Sequence, residues 1–134
     1  MKVSDAMAFH TLLVSLALFA VVSKVEPEPK YDPGKMIDTQ VTVIQVLHGG
    51  ENWPNSVRLI ARTEADRRVN IYLGPASFLR GFEVKFEKGD RIHVVGSQVE
   101  FGGGTIVLAR EVTKDQATLY LRDRQGNPYW RPVH

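Results

Sequence analysis

The sequence predicts an all-β protein, a small and mostly antiparallel barrel, closed or nearly closed, of about five or six strands with one short helix between the third and fourth. Three observations predict it. After Met36 apolar residues recur with period two, not 3.6. The alternating segments are short and rich in Val, Ile and Thr, as pleated, half-buried strands require. Gly, Pro, Asn and Asp punctuate them closely, so successive strands are joined by tight turns.

The elements follow in order. The first strand is Thr39–His48 (TQVTVIQVLH), with Val41 and Val43 alternating against Thr42. GGENWPNS then breaks the pattern. Val57–Thr63 alternates Val57, Leu59 and Ala61 against Arg58, Ile60 and Arg62. After the EADR turn, Arg68–Leu73 sets Val69, Ile71 and Leu73 inward, so the two segments pair as a hairpin. GPASFLRGF carries Phe78, Leu79 and Phe82 at near-helical spacing and reads as one or two helical turns plugging the core. EKGD launches a long strand, Arg91–Phe101, in which Gly96 marks a bulge or bend. TIVLAREV is the fifth strand, TKDQ a turn, and Ala117–Asp123 the last strand. The terminal Tyr129–Trp130 pair is expected to cover one end of the core.

Gly102, Gly103 and Gly104 could cradle a phosphate or make a turn. A phosphate loop leads into a helix, whose N–H groups converge on the anion. Here strand sequence follows, with no Lys-Ser/Thr pair. The three glycines are therefore expected to supply positive φ in a hairpin.

Residues 1–23 read as an address. Thr11–Val22 is apolar and uncharged, about the length of a secretory h-region and shorter than the ~20 residues of a membrane span. Small Ser23 suits a cleavage point, although Asp5 offsets Lys2 in the leading segment. A cleaved signal places the protein in the periplasm or outside the cell, and an uncleaved one makes it a membrane-anchored protein facing the periplasm. Residues 24–36, with KVEPEPKYDPGK, read as an extended linker, and residues 37–134 as the folded domain.

Composition narrows the function. The 134 residues carry no cysteine, which removes disulfides, thiolate metal sites, a thiol nucleophile and a lipid-modified cysteine. The net charge of +2 is spread among interleaved acids and bases, which argues against a dedicated nucleic-acid binder. His10, His48, His93 and His134 show no metal-ligand spacing, His48 with Glu51 being the nearest to a pair. Asp66, Asp90, Asp115 and Asp123 stand where turns prefer acids. Ser56, Ser77 and Ser97 lack a nucleophile-elbow context. These readings point to a non-enzyme with no cofactor and no metal.

The segment Gly89-Asp90-Arg91-Ile92-His93-Val94-Val95-Gly96 resembles the entry to the fourth strand of an OB-fold, with one extra residue before Gly96. Residues 38–130, from strand and long loop through hairpin, short helix and second hairpin, are similar to uncharacterised exported bacterial proteins with OB-like domains. That resemblance implies a binding face on the second and third strands, framed by the first loop and the loop between the fourth and fifth. It would hold Trp53, Arg58, Arg62, Arg68 and Tyr72, with Gly102–Gly104 as the far rim. The partner implied is a small ligand, a glycan or a protein. A membrane-tethered accessory subunit and single-stranded nucleic-acid binding are the alternatives, the latter disfavoured by export. Periplasmic haem chaperones share the OB-fold but carry a His four residues before a Tyr; REVTKDQATLYLRD has Tyr120 and no histidine.

Overall fold

The computed structural model describes residues 28–50 and 53–131. Its elements are β1 (Met36–His48), β2 (Ser56–Thr63), β3 (Arg68–Pro75), α1 (Ala76–Leu79), β4 (Arg91–Phe101), β5 (Gly104–Lys114) and β6 (Ala117–Tyr120). Five strands close in the ring order β1-β2-β3-β5-β4, and β6 adds to β5 outside the ring. The closing contact, β3 with β5, is parallel and consists of Ile71–Val107 and Tyr72–Leu108; all other pairs are antiparallel. The expected fold class therefore holds: an all-β small barrel with one short helix between its third and fourth strands.

Closing so few strands needs local curvature, which bulges supply. Register shifts occur at Val43/Gln45, at Val57/Arg58 and at Val95/Gly96. At the last, Gly96 pairs with Ala109 and Val95 with Glu111, so Arg110 is the extra residue. The carbonyl that Arg110 thereby frees accepts the N–H groups of Leu121 (2.8 Å) and Arg122 (3.3 Å). The bulge expected from Gly96 thus anchors the chain just past β6.

The inward alternation fills the barrel. Val41, Val43, Leu59, Ala61, Ile71, Leu73, Ile92 and Val94 are buried. Phe78 and Phe82 pack edge to face at 5.2 Å against one end, and Trp130 lies 5.4 Å from Phe78. Trp130 covers the core as expected. Tyr129 does not: it is 54% exposed, because it alternates outward from its neighbour.

Two departures from expectation matter for function. First, β5 is buried on both faces: Val107 and Ala109 belong to the barrel core, whereas Ile106 and Leu108 join Val99 in a second, outer cluster. Tyr31, Trp53, Tyr72 and Phe101 cover that cluster. Second, the segment expected as a linker is tied down from Glu28 onward. The buried Ser97 hydroxyl donates to the Asp32 carbonyl (2.8 Å) and accepts the Asp32 N–H (3.0 Å). Gln98 N–H donates to the Lys35 carbonyl at 2.8 Å. The packed chain therefore starts ahead of Met36, without regular secondary structure. The expected address segment, residues 1–23, lies outside the described residues.

The glycine question is settled by geometry. Phe101 pairs with Gly104, leaving a two-residue turn in which Gly102 and Gly103 have φ of 61° and 80°. That is the pattern of a type I′ hairpin. A strand follows, not a helix. Gly104 itself, already in β5, does not have positive φ, so two of the three glycines supply it rather than all three.

Candidate functional site

The β1–β2 loop turns through Gly49, Gly50 and Asn55, all at positive φ. Its carbonyl at Trp53 accepts the Ser56 hydroxyl at 2.7 Å, and the loop closes through Gly49 N–H to Ser56 carbonyl at 2.8 Å. So held, Trp53 lies on the outer face of the barrel. Its ring is 5.0 Å from Tyr72 of β3 and 5.2 Å, edge on, from Phe101 at the foot of the glycine turn. Arg58, the cross-strand partner of Tyr72, sets its guanidinium 5.5 Å over the Trp53 ring. Such a cation–π contact stabilises by about 0.5–1 kcal/mol at a partly exposed site.

The aromatic surface continues beyond Tyr72, whose ring meets Trp130 at 6.3 Å. Trp130 is held by the turn after β6. There the Asp123 carboxylate accepts the N–H groups of Gln125 (2.9 Å) and Asn127 (2.8 Å) and the Asn127 side-chain amide (3.0 Å). These bonds, the Asn127 side chain first, hold the Asp123 carboxyl below its ordinary pKa. Gly126 in this turn has φ of 94° and lies directly beneath the Tyr31 ring, where a side chain would collide.

Between Tyr31 and Trp130 stands Arg122. Its guanidinium carbon is 5.8 Å from the Tyr31 ring and 5.1 Å from the Trp130 ring. One amino group donates to the Gly126 carbonyl at 2.9 Å, and the buried Nε has no partner. Burial pushes the Arg122 pKa down and those of Tyr31 and Tyr72 up. The result is a cleft of about 480 Å³ between Trp53 and Trp130, with Arg122 on its wall and the Glu28–Arg131 ion pair (2.6 Å) at its rim. Its volume is that of a small-ligand pocket.

The expected site residues divide. Trp53, Arg58 and Tyr72 come together. Arg62 and Arg68 do not join them: they face each other at the far end of the hairpin, where Arg62 pairs with Asp66 of the turn at 3.1 Å and Arg68 lines a separate hollow at one mouth of the barrel. Sequence reasoning did not bring Tyr31, Phe101 and Arg122 to this surface. Phe101 was readable from its place beside the glycine turn. Tyr31 and Arg122 carried no local signal, since one sat in a proline-rich segment and the other in a strand end.

His93 Nε2 meets the Asp38 carboxylate on the outer surface of β1 and β4, away from the cleft. Among the described residues no group of three or more His, Asp or Glu side chains gathers as a metal site. Glu51, the possible companion of His48, lies outside them.

Residues 35–119, more than half of the chain, match the MamS/MamX magnetosome protein family, and the chain belongs to that family. No curated protein and no solved structure matches it. The matched span contains Trp53, Arg58, Tyr72 and Phe101, whereas Tyr31, Arg122 and Trp130 lie outside it.

Proposed function

For this member of the MamS/MamX magnetosome protein family we propose a non-catalytic, exported binding module whose recognition surface is the cleft between Trp53 and Trp130. The observation that carries the reading is the convergence of the first loop and the β4–β5 hairpin on β3, through Trp53, Phe101 and Tyr72. OB-type barrels bind between the corresponding loops, and the ring order β1-β2-β3-β5-β4 supports counting this barrel among them. Aromatic faces with a few fixed polar groups suit a small ligand, a glycan or a protein segment. The test is retention of partners from a magnetosome-enriched membrane fraction by the full chain. Trp53→Ala with an intact fold loses them under this reading, and full retention would exclude the cleft.

A second reading, a membrane-tethered accessory subunit, is favoured by the position of Glu28. That residue is already ion-paired to the barrel five residues after Ser23. At ~3.5 Å per extended residue, a retained apolar segment would hold the cleft rim within about 18 Å of its own end. Mass spectrometry of the mature N-terminus separates the two: a chain starting near Lys24 means a free module, and an intact Met1 means a tether.

A further inference from the structure

Arg122 is the one feature of the cleft that packing does not explain. Its carbon stem leaves the chain beside the fully buried Leu121, and the two backbone N–H groups there are pinned to the Arg110 bulge carbonyl. Its guanidinium is flanked by two aromatic rings and fixed through one amino group to Gly126. No carboxylate among the described residues pairs with it, although three other arginines among them do form ion pairs with acids.

 The ion-paired arginines are Arg62, Arg110 and Arg131. Arg122 differs from all of them in being held between rings with its Nε buried and unmet.

The rim shows what kind of group the cleft accepts. Glu28 of the chain's own N-terminal segment places both carboxylate oxygens on the Arg131 amino group, at 2.6 and 2.7 Å. Arg131 is thereby neutralised, and Arg122, deeper in the same cleft, keeps its charge. A guanidinium fork matches a carboxylate in plane, and aromatic walls on either side exclude water from the pair. The space in front of it is about 480 Å³ and is bounded by Trp53, Tyr72 and Trp130, so the rest of the ligand meets ring faces.

We propose that Arg122 is the carboxylate-recognising residue of this cleft, and that the ligand is an organic acid with a planar or apolar body. This rests on the cleft being the recognition surface. The same chemistry is offered by a free small acid and by the C-terminal carboxylate of a peptide ending in an aromatic residue.

Both tryptophans of the chain, Trp53 and Trp130, line the cleft, so intrinsic fluorescence reports binding directly. The full chain is titrated with 3-phenylpropionate and with its neutral amide, and with a short peptide ending in Phe as free acid or as amide. The expected result is saturable quenching by the acids, with at least tenfold weaker binding of the amides. Arg122→Gln removes that discrimination, Arg122→Lys restores part of it, and Arg62→Gln, a change away from the cleft, leaves it within about threefold. Circular dichroism of each variant checks the fold, and the Lys variant keeps the test open if Arg122→Gln does not fold. A stronger response to the peptide acid identifies a chain terminus as the source, and a stronger response to phenylpropionate identifies a small acid. Equal affinity for acid and amide, no binding of either, or discrimination that survives Arg122→Gln overturns the proposal. If acid and amide bind equally but Trp53→Ala abolishes both, the cleft stands as the recognition surface and only the role of Arg122 falls.

Discussion

Gly96 passes Leu108 so closely that a methyl group on its Cα would stand 2.5 Å from the Leu108 carbonyl oxygen. The contact is with backbone at a bulge, which cannot swing aside as a side chain can. Gly96→Ala is therefore expected to destabilise by about 1–3 kcal/mol, as overpacking does. Gly104→Ala is the control: nothing lies within 4 Å of its would-be Cβ and its φ is not positive. Urea unfolding of the two variants measures the difference, and equal midpoints would refute the close approach as a constraint.

The turn at Gly102–Gly103 makes a different demand. Space is open around both residues, so the constraint is φ alone. Gly103→Val is expected to cost about 1 kcal/mol or more, since a β-branched residue resists the left-handed region. Thermal melts read the loss. Added nucleotide should move the melting temperature of neither protein.

Arg58 and Arg62 were expected to act together on one face, and the structure separates them. Arg58→Glu removes the cation over Trp53, so stability is expected to fall by about 1 kcal/mol and the tryptophan emission to shift. Arg62→Glu disturbs an exposed pair in the hairpin turn, for which a change within about 0.5 kcal/mol and no shift in emission are expected. Matching effects of the two variants on emission would contradict the division.

Two carboxylates are expected to contribute to the acid limb of stability. The Lys114 ammonium beside Asp90 (2.9 Å), and the turn donors around Asp123, hold these groups below their ordinary value of 3.8. A depressed folded-state pKa gives stability that is complete above the unfolded value and is lost as pH falls through the folded one. Asp90→Asn and Asp123→Asn should each flatten the decline in unfolding free energy between roughly pH 5 and pH 2. An unchanged slope in both variants would remove these two residues from the acid response.

Tyr31 packs over Gly126 and beside Arg122, so the segment ahead of β1 belongs to the fold. A chain starting at residue 36 is expected to be less stable than one starting at residue 24, by about 2 kcal/mol from the apolar area and hydrogen bonds lost. Comparable denaturation midpoints would show that the segment rests on the barrel without supporting it.

The strand pattern by itself determined the strands and which of their residues face inward. Alternation at Val57, Leu59 and Ala61 and at Val69, Ile71 and Leu73 is a local property, because side chains on a strand change face at every residue. The turns were equally local: Gly102–Gly103 and Asp115 bear the positive φ their residue types allow. The parallel closure of β3 on β5, the burial of both faces of β5 and the course of residues 28–35 were decided only in three dimensions. Ile106 and Leu108 read as one face of an ordinary strand until Trp53, Tyr72 and Tyr31 arrive over them from distant parts of the chain. The cleft is of the same kind. Trp53, Tyr72, Arg122 and Trp130 meet through a loop, a strand, a bulge carbonyl and a capped turn, and a juxtaposition made by long-range closure leaves no periodic trace in the sequence.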